Sequence, residues 1–87
     1  QAARLLTHYA ASLADSGQPF VKEASQAKVF ATEAAARIAA QAMHIQGAYG
    51  YVAESPARRY YRETHVLEIG EGTSEILRNG IAKQLGL

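Results

Sequence analysis

A carboxylate between two glycines is the most chemically suggestive feature of this 87-residue sequence: Gly70, Glu71 and Gly72. Glycine has no side chain, so the backbone on either side of Glu71 can approach a ligand closely. The residues after this run start a predicted helix, whose unpaired N–H groups favour anionic or polar ligand atoms. A carboxylate shielded from water at such a place can act as a general base. Spacing alone leaves a second interpretation open, in which Glu71 is an exposed turn residue near a helix N-terminus.

Residue spacing argues against a metal site or a nucleotide-binding loop. The three histidines, His8, His44 and His65, lack zinc-ligand spacing. No glutamate precedes a histidine by three residues, as paired iron sites in helical bundles require. The two glycines around Glu71 do not continue into a dinucleotide fingerprint or a phosphate loop. Cysteine is absent, which excludes thiolate ligands, thiol nucleophiles and disulfides.

The charge balance argues against polyanionic partners. Nine lysines and arginines stand against eight acidic residues, and the formal net charge is +1. This lacks the electrostatic footprint of a nucleic-acid-binding domain. We therefore interpret one basic and aromatic cluster as a solvated or interface helix: Arg58, Arg59, Tyr60, Tyr61 and Arg62. The longest uncharged stretch, residues 38–53, is shorter than the roughly 20 apolar residues of a membrane span, so no transmembrane segment is predicted.

Two helices are predicted in the first half of the chain. Leu5, Tyr9 and Leu13 recur every fourth residue, which predicts an apolar stripe on a helix that ends near residues 15–17. Residues 20–46 lack glycine and proline and are rich in alanine, so they predict one long helix. Side chains at helical spacing on it are expected to face neighbouring helices: Ala24, Ala27, Ala31, Ala34, Ile38 and Ile45.

A short third helix is predicted after a glycine-rich break at residues 47–51. Ser55 followed by Pro56 is typical of an N-cap and a first helical position, and the helix is expected to end at about Arg62. The residues that follow are interpreted as an apolar connector to the glycine-flanked carboxylate: Val66, Leu67 and Ile69.

The last helix follows a tight turn at residues 70–73 and begins near Thr73 or Ser74. Four of its side chains are expected to be buried: Ile76, Leu77, Ile81 and Leu85. No strand pattern competes with this all-α interpretation. A chain this short has a marginal core, and it starts at Gln1 rather than methionine. We therefore expect it to be cut from a longer polypeptide that helps to stabilise it.

Three blocks of this sequence, taken together, resemble the C-terminal helical domain of acyl-CoA dehydrogenases. The first is His44-Ile45-Gln46-Gly47-Ala48-Tyr49-Gly50-Tyr51, and the second is Pro56 with Arg59-Tyr60-Tyr61-Arg62-Glu63. The third is Ile69-Gly70-Glu71-Gly72-Thr73-Ser74-Glu75-Ile76 with Arg78. The resemblance implies an up-and-down helical bundle of that type. It also implies that residues 1–87 are a fragment of that domain, lacking the first helix of the bundle and containing no second domain.

The resemblance implies an activity, the FAD-dependent α,β-dehydrogenation of an acyl-CoA thioester. Glu71 matches the base that removes the α-proton while the β-hydrogen leaves as hydride to flavin N5. The donors on the thioester oxygen would be the backbone N–H of Glu71 and a flavin ribityl hydroxyl, which stabilise the enolate-like charge. Gly72 would pass close to the substrate. Gly70 would also line the substrate site, at a position where many members have a tyrosine, so the acyl pocket should be wider or differently shaped.

The resemblance also implies two FAD-binding segments. Thr73, Ser74 and Glu75 match the stretch that contacts FAD just after the base. Thr73 can also be a helix N-cap, and both roles can hold together. The second segment, which in homologous tetramers reaches the flavin of the partner subunit, comprises His44, Ile45, Gln46, Gly47 and Ala48. His44 and Ala48 depart from the common glutamine and glycine. An alternative for His44 is a core or interface histidine.

The partners that the resemblance implies are an acyl-CoA substrate, an electron-transferring flavoprotein as electron acceptor, and further copies of the chain in a homodimer or homotetramer. It implies fatty-acid β-oxidation in a bacterial cytoplasm or a mitochondrial matrix. Residues 1–87 alone are expected to bind FAD poorly, to be inactive, and to self-associate or melt at low temperature. The alternative is a catalytically silent bundle of the same family that serves subunit assembly.

Overall fold

The computed structural model describes residues 1–48, 55–70 and 72–87, and in these ranges every regular element is a helix. The four helices are α1 (Ala2–Asp15), α2 (Val21–Gln46), α3 (Pro56–Ile69) and α4 (Ser74–Gln84). The central helix α2 packs against each of the other three, and the molecule measures 47 × 24 × 17 Å. The predicted all-α fold is confirmed.

The connection from α1 to α2 follows the predicted glycine signal. Gly17 adopts a φ of 76°, in the left-handed region that favours glycine. Its N–H donates to the Ala14 carbonyl at 3.1 Å, and the Gln18 N–H donates to the Leu13 carbonyl at 2.9 Å. These two bonds form a Schellman motif that ends α1. After Pro19 the chain enters α2, whose 26 residues extend for about 39 Å.

The third helix is longer than the sequence pattern predicts. Ser55 and Pro56 start α3 as expected, but the helix continues through Ile69, so the predicted end at Arg62 is wrong. The expected connector of Val66, Leu67 and Ile69 is the last part of α3, because residues 57–69 contain no glycine or proline that would end the helix earlier. These three apolar side chains are exposed, which is why they resemble a connector more than a helix face.

Small side chains bring the helices together. The buried apolar residues lie on α1, α2 and α3, and four of the six are alanines, which allow close approach of helix backbones: Ala10, Ala27, Val29, Ala39, Met43 and Ala57. On α2 the prediction of an inward face is correct for Ala27 and wrong for Ile38 and Ile45, which are 64% and 84% exposed. Ile38 lines an open groove of about 500 Å³ between α2 and α3.

The predicted stripes of α1 and α4 are also partly wrong. On α1, Leu6 and Leu13 are half-buried around the buried Ala10, whereas Leu5 and Tyr9 are exposed. On α4 the half-buried pair is Leu77 and Ile81, whereas Ile76 and Leu85, the residue that caps the end of the helix, are exposed. The physical reason is the same for both helices. Each is apolar on more than one side, and α2 covers one side only.

Candidate functional site

The turn between α3 and α4 carries the glycine-flanked carboxylate, and Glu71 itself lies outside the described residues. The N–H of Gly70 donates to the Val66 carbonyl at 2.8 Å and ends α3. Gly72 has a φ of 123°, a conformation that residues with a side chain rarely adopt. The turn therefore lies where the sequence predicts it, and its second glycine is needed for its backbone conformation.

Thr73 caps α4. Its Oγ1 accepts a hydrogen bond from the Ile76 N–H at 3.3 Å, so the N-cap interpretation of Thr73 is confirmed. Glu75 lies in the first turn of α4, where a negative charge is favourable to the helix dipole. Flavin contact by Thr73, Ser74 and Glu75 stays a prediction.

A lysine that sequence reasoning did not single out contacts this turn from α2. The Lys28 ammonium donates to the Gly72 carbonyl at 2.7 Å and to the Glu68 carbonyl at 3.4 Å. Glu68 is the penultimate residue of α3, so its carbonyl is one of those that the end of a helix leaves without an intrahelical partner. Lys28 thus connects α2 to the residues on both sides of Glu71.

An ion pair joins α4 to α2 close to the same turn. Arg78 donates from both terminal nitrogens to the two carboxylate oxygens of Glu33, each at 2.7 Å. Hydrogen bonding from Arg78 lowers the pKa of Glu33, and the same carboxylate raises the pKa of Arg78. Arg78 belongs to a block that carries the family resemblance, whereas Glu33 was not predicted as a partner.

This ion pair gives the stability a defined pH dependence. The folded-state pKa of Glu33 is lowered, so its stabilisation is fully present above the ordinary glutamate pKa and is lost as the pH falls through the lower folded value. We expect Glu33→Gln to reduce the melting temperature by only a few degrees in neutral buffer, because the pair is partly exposed and therefore screened by solvent. The difference from the unsubstituted protein should shrink as the buffer becomes more acidic.

The control is Glu63→Gln on α3, since Glu63 is exposed and forms no ion pair with another described residue. Thermal melts at several pH values should show no change for this variant. A Glu33→Gln difference that stays constant or grows towards acidic pH would contradict the assigned role of the pair.

The second predicted segment lies at the other end of α3. His44, Ile45 and Gln46 form the exposed end of α2, and Gly47 and Ala48 follow, also exposed. The Ser55 hydroxyl donates to Gln46 Oε1 at 3.3 Å and joins this end to the start of α3. His44 is exposed, so it is not a core residue of these helices, and its alternative interpretation as an interface histidine stays a prediction. The aromatic part of the predicted block, Tyr49 and Tyr51, lies outside the described residues.

The two predicted FAD segments do not meet within one chain. One adjoins the beginning of α3 and the other adjoins its end, and the 14 residues of this helix span about 21 Å. Only the segment at residues 73–75 adjoins the glycine turn, because Thr73 caps α4 and Ser74 begins it. The described parts of the two predicted segments therefore form two separate surfaces for a ligand.

The residues at the α4 terminus fit a polar ligand such as FAD. Ser74 Oγ is buried and has no hydrogen-bond partner among the described residues. A buried hydroxyl of this kind can satisfy a ligand atom. In the parts of the chain that the structure describes, no group of three or more acidic, histidine or cysteine side chains could bind a metal, and no helix has the length and apolarity to cross a membrane.

Comparison with known proteins identifies the family. The family described as "Acyl-CoA dehydrogenase, C-terminal domain" matches residues 1–86. The human mitochondrial short-chain specific acyl-CoA dehydrogenase is 54% identical over 85 residues, covering 98% of this chain and 21% of that protein. Benzylmalonyl-CoA dehydrogenase of Aromatoleum aromaticum is 48% identical over 85 residues, covering 98% of this chain and 22% of the relative.

Solved structures agree with this family. Butyryl-CoA dehydrogenase from Megasphaera elsdenii superposes with a TM-score of 0.94 at 36% identity, over 99% of this chain and 22% of that one. A structure described as the electron transferring flavoprotein of Acidaminococcus fermentans superposes with a TM-score of 0.92 at 38% identity, over 97% of this chain and 22% of that one. The chain spans about a fifth of the length of the curated relatives it matches. By this family match, and by the helices and glycine turn described above, the chain belongs to the acyl-CoA dehydrogenase family, where it corresponds to the C-terminal domain.

Proposed function

We propose that residues 1–87 are the C-terminal helical domain of a longer FAD-dependent acyl-CoA dehydrogenase, which removes one hydrogen each from the α- and β-carbons of an acyl-CoA thioester. The observation that carries this proposal is the family match over residues 1–86, which includes the glycine turn. In the proposed enzyme Glu71 is the general base, and Gly70 and Gly72 line the substrate site.

The base must act on a weak acid. The α-C–H of a thioester loses its proton only when a carboxylate shielded from water is within reach and when donors stabilise the negative charge on the thioester oxygen. Glu71 takes the α-proton onto its carboxylate, and its backbone N–H donates to the thioester oxygen. Gly70 adds no side chain to the acyl site, so the substrate can approach the turn closely.

The cofactor residues follow from the two surfaces at the ends of α3. FAD, when bound, accepts the β-hydrogen as hydride. Thr73, Ser74 and Glu75 would bind it beside the base, and the buried Ser74 hydroxyl supports this. Residues 44–48 would bind the flavin of a partner subunit, which is consistent with their exposure and with their distance from the glycine turn.

Subunit assembly would cover the exposed apolar faces. Leu5, Tyr9, Ile38 and Ile76 are large apolar side chains that α2 and its neighbours leave in solvent, and such surfaces mark contacts with further protein. We therefore propose a homodimer or homotetramer. A structure described as an electron transferring flavoprotein contains a chain similar to this one, which supports a protein of that kind as electron acceptor.

The proposal is tested by mixing the FAD-loaded full-length protein with a panel of acyl-CoA thioesters in the absence of oxygen and following the flavin absorbance. We expect bleaching, and we expect it to be fastest with a short acyl chain, because two relatives are named for short-chain acyl-CoA and butyryl-CoA. The matching enoyl-CoA, which lacks the hydrogens to be removed, is the control. Full FAD loading without bleaching by any thioester would favour a silent subunit that serves assembly.

A further inference from the structure

Lys28 donates hydrogen bonds from its side chain to backbone carbonyls that are distant in the sequence. It is half-buried on α2, and its ammonium donates to two backbone carbonyls that lie 40 and 44 residues away in the sequence, those of Glu68 and Gly72. Lysine is flexible and strongly hydrated, so fixing it in one place is unfavourable unless its hydrogen bonds compensate. The contacts therefore indicate a specific role for this side chain.

The two carbonyls lie on either side of Glu71. The Glu68 carbonyl is at the C-terminal end of α3, where a cation is favourable to the helix dipole. The Gly72 carbonyl belongs to the residue directly after Glu71 in the sequence. One ammonium thus connects the end of α3, the far side of the turn and the rigid helix α2.

The two glycines of the turn restrict its backbone little, so contacts from elsewhere in the protein are needed to fix its conformation. Gly70 and Gly72 flank Glu71, and glycine restricts its own backbone less than any other residue. The cap at Thr73 and the Glu33–Arg78 pair orient α4, but among the described residues neither makes a hydrogen bond to Gly70 or Gly72. Lys28 restrains Gly72 itself through the shorter of its two hydrogen bonds, at 2.7 Å.

We propose that Lys28 is a positioning residue for the dehydrogenation: by fixing the carbonyls of Glu68 and Gly72 it holds in place the two described ends of the turn whose sequence includes Glu71. This inference depends on the proposed function, in which Glu71 is the base. A base must lie within hydrogen-bond reach of the proton it removes, and a displacement of about 1 Å can reduce the rate by about 10²-fold.

The test compares Lys28→Met with Lys28→Arg and with Lys22→Met in the FAD-loaded full-length protein. Methionine retains the apolar stem and removes the donors. Arginine retains donors and charge with a different shape. Lys22 is the matched control, because it lies on the same helix and pairs only weakly, at 3.7 Å, with Glu23.

The measurement reports the rate at which the base removes the α-proton, separately from hydride transfer. An acyl-CoA analogue with sulfur in place of the β-carbon has no β-hydrogen to lose, so exchange of its α-hydrogen with solvent deuterium, followed by mass spectrometry, reports proton removal alone. FAD content, melting temperature and the dissociation constant of the analogue are measured alongside. We expect Lys28→Met to bind FAD and analogue nearly normally but to exchange at least about tenfold more slowly. Lys28→Arg should be intermediate, and Lys22→Met should match the unsubstituted protein.

Normal exchange in a folded Lys28→Met variant would overturn the positioning role. If Lys28→Met loses FAD, the Lys28→Arg variant decides: slower exchange with FAD bound supports the role, and unchanged exchange overturns it. A different result is expected if the proposed function itself is wrong. The unsubstituted protein and Glu71→Gln would then exchange the α-hydrogen at the same background rate.

Discussion

Replacing Glu71 with glutamine in the full-length enzyme should leave FAD bound and slow flavin reduction by an acyl-CoA by about 10³-fold, within the range that a positioned general base contributes. Glutamine has nearly the same shape as glutamate but cannot accept the α-proton. The substrate site should remain intact, so the dissociation constant of the acyl-CoA should change little. The measurement is the rate of flavin bleaching at saturating acyl-CoA, without oxygen, in a rapid-mixing instrument.

The control for this variant is Glu63→Gln, which makes the same chemical change on the exposed side of α3. It should bleach at the rate of the unsubstituted enzyme. A Glu71→Gln enzyme that is reduced at nearly that rate would reject Glu71 as the base. The base would then have to come from another part of the protein.

Replacing Gly72 with alanine should disrupt the turn that carries the base. The φ of 123° at Gly72 disfavours any residue with a side chain, and an added Cβ would lie 3.3 Å from Cδ2 of Leu77. A backbone conformation this strained costs about 1–3 kcal/mol. We expect a lower melting temperature and, because Gly72 adjoins Glu71 and accepts from Lys28, a flavin reduction rate that falls as well.

Gly80→Ala is the matched control for this substitution. Gly80 lies inside α4, and a Cβ added there would meet no described atom within 4 Å outside its own helix backbone and its neighbours in the chain. Alanine in a helix interior is up to about 1 kcal/mol more favourable than glycine, so this variant should melt at the same or a higher temperature and keep its activity. Equal effects of the two substitutions on melting temperature and rate would contradict the special conformation of Gly72.

Local signals in the sequence are sufficient for much of the fold. Gly17 marks the end of α1, the alanine-rich run marks α2, and Ser55 with Pro56 marks the start of α3, because capping and helix propensity depend on residues close in sequence. The end of α3 is predicted too early because its last apolar residues face solvent. In such a segment the absence of glycine or proline before Gly70 is the better signal.

Which apolar faces of the helices are buried depends on the other domains or subunits that pack against them. Leu5, Ile38 and Ile76 follow helical spacing as regularly as the residues that are buried, yet they are exposed. Periodicity shows that a face is apolar and does not show what covers it. In the proposed oligomer these faces would contact other domains or subunits.

Sequence motifs identify the turn between α3 and α4, but they do not identify the residues of α2 that stabilise it. Glu71 stands out because glycines flank it, and Thr73 stands out as a cap. Lys28 and Glu33 carry no local signal, because their partners Gly72 and Arg78 are more than 40 residues away. A lysine or glutamate on an alanine-rich helix ordinarily faces solvent, so only the packing of α2 against the turn and α4 reveals these contacts.

The most direct measurement of the proposed activity is product formation in a single turnover. FAD-loaded full-length protein is mixed with one equivalent of butyryl-CoA without oxygen. The thioesters are then separated, and their molecular masses are measured by mass spectrometry. We expect an enoyl-CoA lighter by two hydrogens, formed in proportion to the bleached flavin and absent with Glu71→Gln. Recovery of unchanged butyryl-CoA beside fully oxidised flavin, repeated for longer and branched thioesters, would contradict the assignment as an acyl-CoA dehydrogenase.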